Sequence, residues 1–179
     1  MATQPIYDKP VSVEEYLSTV WEHDCEYVDG EIEERDLGEF EHSYVQGLLI
    51  TLFNMHEEDW GVFALPEQRI QTRKTHFRIP DVTILRESTK YEGVLTHPPF
   101  LVIEVQSPEV PMRRTAAKAA EYRDFGIEHV WVLDPYARVA YRGTADGLEL
   151  MRTGELSIPD TPIRIVPAEI FAKLEKKLR

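Results

Sequence analysis

Two acids interrupt apolar runs that lie close together in the chain. Asp81 directly precedes the run at 82–85, and Glu104 stands inside the run at 100–105. Both runs are β-branched or apolar and are closed by turn residues, so they read as strands joined by a loop over 87–98. An antiparallel register centred between residues 92 and 93 sets Asp81 opposite Glu104 on one face, with Cβ atoms about 5 Å apart. Gln106 shares that face by the two-residue period of a strand. Two carboxylates so placed repel each other, and partial burial adds a desolvation cost. A hard divalent cation would offset both and still leave positions for water and a phosphate oxygen. On this reading Asp81→Asn is expected to stabilise the metal-free protein. The plainer reading is a turn acid after Pro80 and a strand-end acid that reaches solvent.

The surrounding elements must hold this pair. Ser12 with Glu15 forms a capping box that opens a short helix through about residue 19. Asp29-Gly30 is a two-residue turn signal, so 26–34 reads as a hairpin. Val45, Leu48, Leu49, Leu52 and Phe53 follow a 3.6-residue period and predict a helix over 41–57, with His42 in its first turn. Short strands over 62–65 and 68–72 lead to the central pair. An alanine-rich helix is predicted at 113–125, stopped by Gly126, with Lys118 near its middle. The apolar run 129–133 must be buried on both faces, as expected for a strand beside a crossover helix. An outlying hairpin over 138–142 and 148–152, one more strand at 163–166 and a helix with Ile170, Phe171, Leu174 and Leu178 complete the chain. The pattern is a mixed sheet with helices packed on it, α/β or α+β. At 179 residues it fits one domain with a real core.

Four pieces in order carry a resemblance: R-x-P-D-V at 78–82, E-V-x-S-P at 104–108, Lys118 followed by Tyr122, and G-I-E-H-V-W-V-L-D-P at 126–135. Together they resemble a large bacterial family of restriction-endonuclease-like proteins within the PD-(D/E)XK nuclease superfamily, over nearly the whole chain. The resemblance implies a restriction-endonuclease-like mixed sheet, flanked by helices and extended by N-terminal and C-terminal hairpins. It also implies that Asp81 and Glu104 bind Mg2+ (or Mn2+) together with a main-chain carbonyl next to Glu104. In the superfamily a lysine usually stands two residues after the glutamate, where this chain has Gln106, which can only orient a water or phosphate by hydrogen bonds. Lys118 is where the resembled family has a lysine able to supply the missing charge. Arg114 is a second departure, because relatives often have an acid about four residues before that lysine. Glu31, after the hairpin glycine, and His42 are implied accessory residues.

The net charge of -12 is opposite to the usual footprint of a nucleic-acid enzyme. It is, however, local: residues 14–41 hold twelve acids and a single base, Arg35. Basic residues flank both proposed ligands, and Arg73, Lys74, Arg78, Arg113 and Arg114 are the candidates for DNA contact; for each of them a solvated face is the plainer account. One cysteine, Cys25, excludes an intramolecular disulfide framework, and its acidic surroundings argue against a nucleophile. The start of the chain lacks a signal-peptide pattern and no window is apolar enough to span a membrane, so a cytoplasmic protein is expected. There is no P-loop or Gly-x-Gly-x-x-Gly, the six histidines lack zinc-ligand spacing, and Ser107 lies outside any Gly-x-Ser-x-Gly elbow. Two functions stay open. One is a metal-dependent phosphodiesterase acting on DNA, with a homodimer compatible with it. The other is a non-catalytic protein that keeps the nuclease fold and offers its acidic N-terminal surface to a basic partner.

Overall fold

The computed structural model describes residues 10–21, 24–35, 38–90, 92–152 and 154–179. Glu22 and Asp36 of the acidic stretch and Tyr91 of the 87–98 loop therefore lie outside the described residues. In chain order the elements begin α1 (Val13–Ser18), β1 (Cys25–Val28), β2 (Glu31–Glu34), α2 (Phe40–Met55), α3 (Glu57–Trp60), β3 (Val62–Pro66), β4 (Ile70–Arg73), β5 (His76–Arg78) and β6 (Val82–Arg86). They continue β7 (Leu101–Val105), α4 (Met112–Phe125), β8 (His129–Asp134), β9 (Val139–Thr144), β10 (Gly147–Met151), β11 (Leu156–Ser157), β12 (Arg164–Ile165) and α5 (Pro167–Lys177).

Local chemistry sets several boundaries. Ser12 Oγ accepts the Glu15 N–H at 3.1 Å and caps α1. Asp29 (φ 50°) and Gly30 (φ 96°) both take left-handed backbone, the turn that matches the twist of a tight hairpin. Gly126 ends α4 with φ 104°.

Among the described residues the main sheet has six strands in the order β10-β9-β8-β7-β6-β3. Its pairs are antiparallel except β7 with β8, the pair that α4 connects. The β6–β7 register pairs Val82 with Ile103 and Ile84 with Leu101, and extending it one step sets Asp81 against Glu104 as expected. One face is covered by α2 and α5 over a large apolar core that includes Leu49, Phe53, Ile84, Ile103, Trp131 and Phe171. The other face packs against α4 through Leu85, Val102, Tyr122 and Val130.

The N-terminal hairpin goes further than an appendage. It joins β5 and β4 in a four-stranded antiparallel sheet ordered β2-β1-β5-β4, with its own small core of Val11, Tyr16, Tyr27 and Phe77. Strand β5 carries no alternation that its sequence, His-Phe-Arg, could reveal; it forms because β1 and β4 pair on either side of it. The later hairpin, β9 and β10, forms the edge of the main sheet beside β8.

Candidate active site

Where the two sheets meet, side chains from β1, β2, α2, β7 and α4 and from the segments beside them line a polar cavity of about 70 Å3, large enough for several waters. Asp81 enters from the start of β6 and Glu104 from β7, both buried, on the sheet face that packs against α4. Lys118 comes from the middle of α4, its Nζ 3.1 Å from Glu104 Oε1 and 2.8 Å from Glu26 Oε1. Tyr122, one turn later, donates its hydroxyl to Glu104 Oε1 at 2.7 Å. These spacings follow from the helix: residues 115, 118, 119 and 122 fall on one face, which turns toward the sheet.

Asp81 is held by more donors than a surface acid could collect. Its Oδ1 accepts from Arg35 Nη2 at 2.6 Å, its Oδ2 accepts from the Val105 N–H at 2.7 Å, and His42 Nε2 stands 3.3 Å from Oδ2. Gln46 on α2 donates to the Asp81 main-chain carbonyl at 3.0 Å. Burial works against the carboxylate charge, but His42, Arg35 and the Val105 N–H outweigh it and hold the Asp81 pKa down at about 2. Glu104 goes the other way. Burial, joined by the charges of Asp81 and Glu26, outweighs the Lys118 ammonium and pushes Glu104 up to about 7. Lys118 is shared, and its shorter contact is to Glu26, so Glu104 titrates high although a cation lies beside it. For Lys118 itself burial opposes the charge, and the Glu104 and Glu26 carboxylates override it and raise the pKa. His42 is likewise raised, since its hydrogen bond to Asp81 and that residue's charge exceed the burial cost.

The other expected residues separate into two groups. Gln106 lines the cavity, but its amide is engaged: Nε2 donates to the carbonyls of Ser107 and Val110, and Oε1 accepts from Thr115 Oγ1 at 2.6 Å. It braces the loop between β7 and α4. Arg114 is exposed at the rim and pairs with Glu33 at 3.1 Å. Arg73, Lys74 and Arg113 are exposed, with Arg73 3.7 Å from Asp124. Glu31 is exposed at the start of β2 and does not line the cavity. Arg78 differs from its expected role as a DNA contact. Its side chain is 9% exposed and binds Glu26 at 2.9 Å, Glu33 at 3.0 Å and Glu121 at 2.8 Å, so its charge is consumed inside the protein.

Glu26 and Arg35 are functional candidates that the sequence reading passed over. Glu26 accepts from Lys118, Arg78 and the Ile79 N–H, tying the four-stranded sheet to α4 and, through Lys118, to Glu104. The signal was present in both: Glu26 is an acid within the apolar strand Cys25–Val28, like Glu104 in β7, and Arg35 is the lone base among twelve acids.

The site chemistry fits a hard cation with few protein ligands. Among the described residues no group of three or more His, Cys, Asp or Glu side chains is arranged to hold a metal ion. Asp81 and Glu104 offer carboxylate oxygens beside a polar cavity with room for water, and Mg2+ characteristically binds through one or two carboxylates and keeps several waters.

A mixed sheet with facing acids on adjacent strands, and a crossover helix carrying a lysine to them, defines a restriction-endonuclease-like domain of the PD-(D/E)XK kind. The chain belongs to the Uma2 family, described as "Putative restriction endonuclease", whose sequence profile matches residues 13–162. A solved structure agrees with the fold: a "putative nuclease belonging to DUF820" from Anabaena variabilis ATCC 29413 superposes with a TM-score of 0.80. That likeness covers 92% of this chain and 99% of the other at 18% identity, and bears on the fold alone. No curated protein matches the chain. Among the described residues no helix is long and apolar enough to cross a membrane.

Proposed function

We propose that the protein is a metal-dependent phosphodiesterase that hydrolyses DNA in the cytoplasm. The observation that carries this reading is the convergence of Asp81, Glu104 and Lys118, from β6, β7 and α4, on one polar cavity. Asp81 and Glu104 would hold Mg2+ or Mn2+, with the carbonyl next to Glu104 as a further oxygen. When bound, the cation polarises a phosphoryl oxygen and lowers the pKa of a bound water. The remaining roles belong to the chain. His42 and the Val105 N–H fix the Asp81 carboxylate, and Tyr122 fixes Glu104. Glu26 keeps Lys118 charged and aimed at Glu104, where its ammonium can orient the attacking water and stabilise charge that develops on the phosphoryl group. Arg114 at the rim, with Arg73, Lys74 and Arg113 on the surface, supplies sequence-independent attraction for the phosphate backbone.

Calorimetric titration with Mg2+ and Mn2+, paired with cleavage of a DNA duplex, tests this. Metal binding should be lost in Asp81→Ala. Lys118→Ala should retain metal binding and lose roughly a hundredfold in cleavage rate, about 3 kcal/mol, with little recovery in Lys118→Arg because a planar guanidinium does not replace a compact ammonium. The second reading, a non-catalytic binder of a basic partner, draws on the extent to which Arg35, His42 and Lys118 already satisfy the carboxylates. No metal binding at millimolar concentration would favour it.

A further inference from the structure

Asp81 is neutralised by a residue that a metal-binding carboxylate would have to give up. Arg35 reaches Asp81 Oδ1 with Nη2 at 2.6 Å and holds Glu67 Oε1 with Nη1 at 3.1 Å. Its side chain is 17% exposed and lines the cavity, whereas Glu67 is 43% exposed and lies toward solvent. The Arg35 main chain is anchored where β2 ends, its N–H donating to the Asp24 carbonyl at 3.2 Å. The backbone is thus held while the long side chain spans from the strand end into the site.

We propose that Arg35 is the resident counter-cation of Asp81, that a divalent cation displaces it, and that the displaced guanidinium then binds the phosphate of the nucleic acid. This rests on the metal-dependent phosphodiesterase reading. The argument is one of charge and space. A cation about 2.1 Å from Oδ1 would sit where the guanidinium now does. A lysine or histidine could answer by losing its proton, but an arginine cannot, so it has to move. Glu67 keeps hold of the other arm at the cavity edge, which limits how far the side chain leaves. There the guanidinium is repelled by the cation and attracted by a phosphate that approaches it, and its planar donors match phosphate oxygens in pairs. Arg35 is then a substrate-binding residue with two opposite contributions: it weakens metal binding and strengthens nucleic-acid binding.

The opposite signs make the test. Mg2+ affinity is measured by calorimetry, and affinity for a short DNA duplex is measured in Ca2+, both for the full chain. Arg35→Gln should bind Mg2+ roughly tenfold more tightly and the duplex roughly tenfold more weakly, each equivalent to about 1.4 kcal/mol. Arg35→Lys, which keeps the charge and provides a second folded variant, should leave Mg2+ affinity near wild type and recover little of the duplex affinity. A merely structural role for Arg35 would weaken both affinities together, and that result, or unchanged Mg2+ affinity in Arg35→Gln, overturns the proposal. Wild-type Mg2+ binding that Asp81→Ala abolishes, with Arg35→Gln unchanged, would sink this inference and leave the nuclease reading standing. Absence of Mg2+ binding in wild type and Arg35→Gln alike would overturn both.

Discussion

Asp81 and Glu104 differ in character although they face each other across one strand pair. Asp81 receives a guanidinium, a main-chain N–H and a histidine, so its charge is stabilising in the metal-free protein. Asp81→Asn should therefore destabilise that protein by about 3 kcal/mol in urea unfolding at neutral pH. This reverses the gain expected from simple repulsion, because the cations that compensate it belong to the chain itself. Glu104→Gln should stay within about 1 kcal/mol of wild type at pH 6, where the carboxyl is largely protonated and the amide oxygen can still accept from Tyr122. The pH dependence follows with opposite signs. Asp81 has a depressed pKa, so its contribution is present above the ordinary aspartate value and is lost as pH falls toward about 2. Glu104 has a raised pKa, so the folded state holds its proton more tightly and the benefit fades as pH rises from the ordinary glutamate value to about 7. Unfolding free energies at pH 5, 6 and 7 should decline less steeply in Glu104→Gln than in wild type; parallel declines would show that Glu104 is not the titrating group.

At the scale of elements, the β1–β2 hairpin and helix α4 bring charge to the strands that present Asp81 and Glu104. Gly30 has φ 96°, and an added Cβ would lie 2.8 Å from Pro10 Cβ. Gly30→Ala should cost about 1–2 kcal/mol from backbone strain, and more if Pro10 cannot shift. Because β1 carries Glu26 and Arg35 follows β2, the thermal midpoint of this variant should fall together with duplex affinity. Arg78 is the joint between elements: from β5 it binds Glu26 on β1, Glu33 on β2 and Glu121 on α4. Burial opposes its charge, but the hydrogen bonds and charges of Glu121 and Glu26 overcome that and raise its pKa. Arg78→Ala takes a shared buried cation from three carboxylates and should destabilise by about 3 kcal/mol, measured by urea unfolding. A loss below about 1 kcal/mol would mean that the network is solvated and does not join the sheets.

For the whole molecule, net charge works against approach to DNA, so under the proposed function exposed bases and a bound cation would carry the attraction. Lys74→Ala and Arg113→Ala should each weaken duplex binding across all sequences and lower the salt slope by about 1. Both should leave the unfolding midpoint unchanged. Metal should also stabilise the fold, by about 2.7 kcal/mol at a concentration a hundredfold above its dissociation constant, as simple linkage requires. A melting temperature indifferent to Mg2+ would count against the Asp81–Glu104 site.

The sequence by itself determined what depends on neighbours along the chain. Two apolar runs and the length of the loop between them set the register of 82–85 against 100–105, and with it the opposition of Asp81 and Glu104. Alanine propensity and a C′ glycine delimited α4 and placed Lys118 near its middle. Cap and turn chemistry located α1 and the hairpin. Only the tertiary structure decided which charges meet. Arg78 stood among basic residues and read as a DNA contact, yet the four-stranded sheet turns it inward to Glu26, Glu33 and Glu121. Arg35 and Glu26 stood within the acidic stretch at 14–41 with no partner marked by spacing, and the fold makes them partners of Asp81 and Lys118. Strand β5, with three residues and no pattern of its own, exists because β1 and β4 flank it. These ion pairs join residues far apart in the chain, 46 positions for Arg35 with Asp81 and 52 for Arg78 with Glu26, and the energy of a buried ion pair depends on partners and burial that no local spacing encodes.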